Sequence, residues 1–320
     1  MPYDGLVMAA VCHELSKKLI DGRIEKIYQP LKEEILISIS KPRERFKLLA
    51  SSNAAVSRIH IVEKTKPNPQ NPPTFCMVLR KHLENGKIKN IRQQGLDRIL
   101  NIDIDIRNDL GEQITKTLII EVMGKHSNII LTKKLNDQSY KIIDAIKRYS
   151  NSINSYREVL PGKLYMPPPP HNKVNFLHLS RESFIKLMLS QDISLKLTDV
   201  LQKILVGFSP LMCREVVYRS NLPIDILLDH CGEYELHSTW NQLEKMALDF
   251  KQRSFYPTLV LDKDKDNDNV LEFSAFELTQ FEKYKLLTGT MNHLLEIFYE
   301  QKYIQNQMHS KSNSLLTIVN

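Results

Sequence analysis

One run constrains this chain more than any other: Leu100, Ile102, Ile104 and Ile106 alternate with Asn101, Asp103 and Asp105. A period of two predicts a strand from Asp97 to Arg107, with apolar side chains on one face and polar ones on the other. Similar runs follow after short polar turns. Asp109-Leu110-Gly111 leads into Thr115 to Val122, and Met123-Gly124-Lys125-His126-Ser127 leads into Asn128 to Thr132; Lys141 to Ile146 follows. Upstream, Arg23 to Tyr28, Glu34 to Ser40, Phe46 to Ser51, Arg58 to Val62 and Lys87 to Arg92 read the same way. Short strands joined by short turns predict an antiparallel sheet.

Two helices interrupt the strands. Asp4 is the expected N-cap of a helix to about Ile20, with Val7, Val11, Leu15 and Leu19 as its buried stripe and Asp21-Gly22 as its stop. Thr74 is the expected N-cap of a second helix carrying Leu79-Arg80-Lys81-His82-Leu83 and ending at Asn85-Gly86. The proline-rich run from Lys66 to Pro73 delivers the chain into it as an extended loop. The result is an α+β domain closing near Tyr165. Met166-Pro167-Pro168-Pro169-Pro170-His171 is a stiff spacer and a boundary.

Beyond the spacer the pattern turns helical. Leu197, Val200, Leu201, Ile204 and Leu205 form one stripe, Gly207-Phe208-Ser209-Pro210 breaks it, and Leu211 to Arg219 begins another helix. Phe255 to Leu261 and Val270 to Phe273 predict a β-hairpin around the acidic stretch Asp262 to Asn269. From Phe276 a helical pattern resumes and becomes polar and exposed in character. The expected division is 1–170, 171–275 and 276–320, the last being the start of a longer helix, as in a fragment of a larger protein.

The 320 residues carry a formal charge of +7, compatible with a polyanionic partner but too mild to establish one. Between Arg80 and Arg98 six cations face two acids. That stretch reads either as a polyanion surface or as a solvated face with a local Asp97-Arg98 ion pair. The Gly207–Pro210 turn reads either as a plain αα-hairpin or as a helix start whose N–H groups donate to a phosphate oxygen. Four dispersed cysteines encode no C-x-x-C site and suit a reducing cytoplasm. The acidic stretch lacks the Gly and Glu of a calcium loop. No nucleotide loop, nucleophile elbow or paired metal histidines occur, so no cofactor or metal is expected. No signal peptide or membrane span is evident. Pro2 raises the possibility of Schiff-base chemistry on damaged DNA, but it reads better as an ordinary start residue.

Read together, the ordered motifs resemble the bacterial RqcH proteins, long described as fibronectin-binding protein A homologues, and their eukaryotic NEMF relatives. They are Asp4-Gly5-Leu6, Gly22-Arg23-Ile24-x-Lys26-Ile27-Tyr28-Gln29-Pro30, Phe75-Cys76-Met77-x-Leu79-Arg80-Lys81-His82-Leu83, Asp97-Arg98-Ile99-Leu100, Glu121 to Leu131 and Gly207-Phe208-Ser209-Pro210. The resemblance implies an NFACT-N domain, a helix-hairpin-helix domain and the start of a coiled coil. It implies a cytoplasmic, non-enzymatic ribosome quality control factor. Such a factor binds the obstructed large subunit carrying peptidyl-tRNA and recruits alanyl-tRNA for mRNA-independent alanine tailing. It makes Asp97 and Arg98 the signature of tRNA-dependent tailing, with Asp4 as a further functional acid. The cations and imidazoles of Arg80, Lys81, His82, Lys125 and His126 then face tRNA. The competing class, a surface adhesin for fibronectin, lacks an export signal.

Overall fold

The computed structural model describes residues 3–107, 110–135, 139–150, 152, 156–262 and 269–319. Pro2, Asp109 and most of the acidic stretch, 263–268, lie outside the described residues. The chain divides into two compact units, one of Tyr3–His178 with Lys203–Ser209 and one of Leu179–Gln202 with Pro210–Asn320.

The first unit begins with α1 (Gly5–Leu19), capped by Asp4 as its residue type dictates. Val7, Val11, Leu15 and Leu19 are all buried, and so are Leu6, Met8, Ala9 and Ala10, so α1 is a core helix at its N-terminal half. Asp21 takes a left-handed φ of 68° and ends it. Then come β1 (Arg23–Leu31), β2 (Glu34–Lys41), β3 (Glu44–Ser51), β4 (Arg58–Ile61), α2 (Thr74–Leu83), β5 (Lys87–Gln93), β6 (Ile99–Arg107), β7 (Gln113–Glu121), β8 (Asn128–Lys134) and β9 (Tyr140–Ala145). The nine strands form one sheet, β4-β3-β2-β1-β5-β6-β7-β8-β9, with every pairing antiparallel.

The sheet opens at its middle. β1 and β5 pair only at Arg23 with Lys87. Beyond that point α2 takes over as the partner of β1: Ile27 N–H donates to Glu84 Oε1 at 3.2 Å, and Ile27 O accepts from Arg80 Nε at 2.7 Å and Cys76 Sγ at 3.6 Å. These side chains satisfy strand groups that would otherwise be buried without partners. The two halves of the sheet turn toward each other, and Lys147 ties them by reaching Ser52 O at 2.6 Å and Glu33 at 3.0 Å. On the outer face Ile99, Ile119, Ile130, Ile142 and Val159 form a second apolar cluster. Beside it Arg157 grips Glu121 through two 2.6 Å bonds, with Tyr165 donating to the same carboxylate at 2.9 Å.

Two local expectations are corrected here. Pro73, not Thr74, is the N-cap of α2; its fixed ring angle sets the extended residue before the helix, and Thr74 is the first helical position. The strand that carries the alternating run starts at Ile99, so Asp97 and Arg98 lie in a bend ahead of it rather than in the pleat. The left-handed Gly95 turn, φ 57°, holds that bend.

The second unit contains α3 (Arg181–Leu189), α5 (Pro210–Arg219), α6 (Glu233–Lys251), and a three-stranded sheet of β10 (Thr258–Leu261), β11 (Val270–Ser274) and β12 (Lys285–Thr288) in the order β11-β10-β12. α4 (Leu197–Ile204) precedes α5, and the residues joining them, through Ser209, belong to the first unit. Glu215 is the polar centre of the second unit. Fully buried, it accepts from Arg219 Nε, Thr279 N and Oγ1, and Gln280 N and Nε2 at 2.7–3.2 Å. α7 (Met291–Val319) packs Phe298 on Phe273 with ring centroids 4.7 Å apart. The helix expected from Phe276 therefore begins at Met291. A 3-10 turn at Thr279–Phe281 and β12 occupy the interval, because β10 offers Leu286 and Leu287 an edge to pair with.

Candidate nucleic-acid interface

Three segments far apart in sequence converge at one end of the first unit's sheet. The first is the start of α1. Asp4 Oδ1 accepts from Leu6 N at 3.0 Å and Val7 N at 2.9 Å, which is ordinary N-cap geometry. Its second oxygen accepts from Ser209 Oγ at 2.7 Å and Ser209 N at 3.3 Å. One carboxylate thus caps a helix and anchors the Gly207–Ser209 turn. Burial raises the Asp4 pKa, and these hydrogen bonds pull against that rise.

The second segment is the Gly207 turn. Gly5 N donates to Gly207 O at 3.0 Å. The backbones pass so closely that a Cβ on Gly5 would sit 2.0 Å from Leu96 O and 2.6 Å from Gly207 Cα, and Gly207 itself has φ +84°. Glycine is required at both places for close approach and, at Gly207, for backbone sign. Phe208 and Ser209 are buried; Phe208 meets Phe176 edge-on at 5.0 Å, and Pro210 opens α5.

The third segment is the bend from Gln94 to Arg98. Gln93 Nε2 bridges Gly5 O and Asp97 O, each at 2.8 Å, and Arg98 O accepts from Val122 N at 2.9 Å. The bend is therefore held on both sides while its side chains remain partly open. Asp97 is 37% exposed at the side chain and pairs with His171 Nε2 at 2.8 Å. Arg98 is half-buried. Burial pulls its guanidinium below the usual range, and the carboxylates of Asp4 and Asp97 pull it back. The local Asp97-Arg98 ion pair that adjacency in sequence suggests does not form: Asp97 turns to His171, and the Arg98 guanidinium feels both carboxylates only at longer range. A partly open cation without an ion-pair partner among the described residues suits a phosphate or ribose ligand.

Lys125 and His126 extend this end of the sheet. They lie exposed on the 3-10 turn Gly124–His126, which follows Val122, the residue bonded to Arg98. Arg80, Lys81 and His82 lie elsewhere. His82 Nδ1 accepts from Lys116 Nζ at 2.7 Å, and Lys116 is five residues along β7 from Glu121, about 17 Å from the Arg98 end at strand spacing. Arg80 is engaged with Ile27 O and stacks its guanidinium 5.7 Å from the Tyr28 ring centre. The basic stretch that looks continuous in sequence is split along the sheet.

The chain aligns over residues 4–320 with the family model for NFACT N-terminal and middle domains. It belongs to the NFACT family of RqcH and NEMF proteins. Among its relatives, the Rqc2 homolog RqcH of Bacillus subtilis is 34% identical over 317 residues, covering 98% of this chain and 52% of that protein. The human ribosome quality control complex subunit NEMF is 31% identical over 140 residues, 44% of this chain and 12% of that one. The solved N-terminal structure of the fibronectin/fibrinogen-binding protein from Streptococcus suis superposes with a TM-score of 0.73 at 30% identity, covering 93% of this chain and 99% of that one. The chain thus spans about half the length of the Bacillus relative.

In this NFACT chain, Asp4, Asp97, Arg98, Gly207, Phe208 and Ser209 come together, and Lys125 and His126 flank them. Gln93 and His171 were not legible as site residues: a glutamine in a strand and a histidine after a proline run carry no motif, and only the three-dimensional contact marks them. Among the described residues no group of His, Cys, Asp and Glu is arranged to hold a metal ion, and no helix is long and apolar enough to cross a membrane.

The Asp4–Ser209 bond makes a measurable contribution. Asp4→Ala removes the α1 cap and leaves the Ser209 groups facing a buried gap, an expected loss of about 2 kcal/mol. Ser209→Ala, which leaves the cap in place, costs about 1 kcal/mol. Urea unfolding of the two variants checks both the values and their order.

Proposed function

We propose that this chain is the RNA-engaging N-terminal part of a ribosome quality control factor. It acts on obstructed large ribosomal subunits carrying peptidyl-tRNA. There it recruits alanyl-tRNA so that alanine is added to the stalled chain without mRNA. The protein is an adaptor in the cytoplasm, not an enzyme; the ribosome makes the peptide bonds. In this reading residues 1–170 are the NFACT-N domain, 171–275 a helix-hairpin-helix domain turning at Gly207–Pro210, and α7 the beginning of a coiled coil.

The observation that carries the reading is the half-exposed Asp97–Arg98 bend, held by Gly5, Gln93 and Val122 and set beside Asp4. Arg98 supplies a half-buried cation on an anchored backbone for a tRNA phosphate, and Asp97 accepts from a base or a ribose hydroxyl. Lys125 and His126 add contacts on the flank. Sequence-independent grip through such cations makes binding strongly dependent on salt.

The test is tailing by the full-length protein. Asp97→Ala and Arg98→Ala are each expected to lower alanine tailing at least about tenfold, the equivalent of one charge-assisted contact, with thermal stability little changed. Normal tailing by both variants would falsify the assignment.

A further inference from the structure

A second basic feature lies at the other end of the sheet from Asp97 and Arg98. In the ladder register Lys116 of β7 stands opposite Lys133 of β8, and Lys133 stands opposite Lys141 of β9. Directly paired residues point to the same face, so three lysines line up across three strands, about 4.8 Å apart from strand to strand. Two positions inward on β7 and β8, Leu118 and Leu131 are buried core. The row therefore marks the rim where that core meets solvent. Lys133 and Lys141 are exposed, whereas Lys116 is buried and donates to His82 Nδ1 at 2.7 Å. That bond requires the His82 ring to be neutral, and burial together with the charges of Lys116 and Lys81 lowers its pKa. Exposed Lys81 extends the row from the end of α2.

Like charges placed directly opposite one another destabilise a sheet. Among the described residues no carboxylate forms an ion pair with Lys133 or Lys141. Lys133 and Lys141 thus face each other as like charges with no ion-paired acid among the described residues. We propose that exposed Lys133 and Lys141, flanked by exposed Lys81, form a docking strip for the phosphate backbone of an RNA strand, with Lys116 and His82 as its buried edge. The strip's two ladder lysines stand about 4.8 Å apart, enough for about two neighbouring phosphates at the axial charge spacing of a nucleic-acid strand. It contains lysines alone, point charges without the planar fork that reads base edges or seats a carboxylate bidentately. That chemistry fits sequence-independent contact with phosphate. The strip is separate from Asp97 and Arg98 and does not depend on their assignment.

The test is a salt titration of polyuridylate binding by the 320-residue chain, comparing the native protein with the Lys133→Gln/Lys141→Gln double variant. Polyuridylate is single-stranded, so loss of two phosphate contacts lowers the slope of log affinity against log salt by about 1.4, and between 50 and 200 mM salt the native protein loses about sevenfold more affinity than the variant. Melting of the double variant is expected at or above the native temperature, because a repulsion has been removed. Lys133→Arg/Lys141→Arg is expected to keep the native slope. An unchanged slope in the folded glutamine variant overturns the proposal. So does displacement of the strip's ligand by polyglutamate and not by RNA, which would make an acidic protein the partner. Asp97→Ala in the same titration keeps the strip's contribution, which separates this result from failure of the tailing site.

Discussion

Gly5→Ala is expected to destabilise the first unit by at least about 3 kcal/mol, in the range of severe overpacking. Helix propensity alone predicts the opposite, since alanine is better than glycine by about 1 kcal/mol inside a helix. The reversal comes from what surrounds the site. The added carbon would lie 2.0 Å from Leu96 O and 2.6 Å from Gly207 Cα, and both are main-chain atoms. No rotamer change relieves such an overlap. Either the 94–98 bend or the 207–209 turn must move, and each is bonded to α1 at Gly5 through Gln93 Nε2 and Gly207 O. The same displacement carries Asp97 and Arg98 out of place, so under the proposed function RNA binding is expected to fall together with stability. Gly95→Ala is the matched control. Its φ is +57° with nothing within 4 Å of the added carbon, so only the left-handed backbone opposes it, at about 1 kcal/mol. Urea unfolding separates the two, and equal costs would show that the close approach at Gly5 is not the determinant.

Removing one partner of the Glu121–Arg157 pair is the second large effect. Their side chains are 0% and 5% exposed. Arg157→Ala leaves a carboxylate in the outer apolar cluster with only the Tyr165 hydroxyl still donating to it, an expected loss of about 3–5 kcal/mol. The pair itself contributes much less than that figure, because bringing both charges out of water nearly offsets their attraction. Replacing both together, Glu121→Leu with Arg157→Met, should therefore cost clearly less than Arg157→Ala alone. Thermal melts of the single and double variants decide it: a double variant at least as unstable as the single would assign the pair a net stabilising role. Glu121 is also the partner of Ile99 across the β6–β7 ladder, one residue past Arg98, so this pair sits directly behind the candidate interface.

The local elements were legible because their causes are local. Asp4 caps α1 with its own side chain, Asn85 takes a left-handed turn after α2 at φ 67°, and the alternation from Leu100 to Ile106 needs no distant partner to declare a strand. Where pairing is non-local the sequence carries no trace of it. β12 carries no alternation of its own and forms only because β10 presents an open edge, so the stretch after Phe276 passed for helix. Arg80 passed for a free surface cation because its partner, Ile27 O, lies 53 residues earlier on a strand whose neighbour has diverged.

The sequence by itself determined the ingredients: a capped core helix, a run of short antiparallel strands, a glycine-marked turn at Gly207, and an acid next to a base at Asp97 and Arg98. Only the tertiary structure decided their grouping. It set Asp4 on Ser209, threaded Gly5 against Gly207 and Leu96, brought His171 onto Asp97, and moved Arg80, Lys81 and His82 to the far end of the sheet. The physical reason is range. Capping and side-chain alternation act within a few residues and leave a periodic trace, whereas a hydrogen bond across 205 residues leaves none until the sheet has closed.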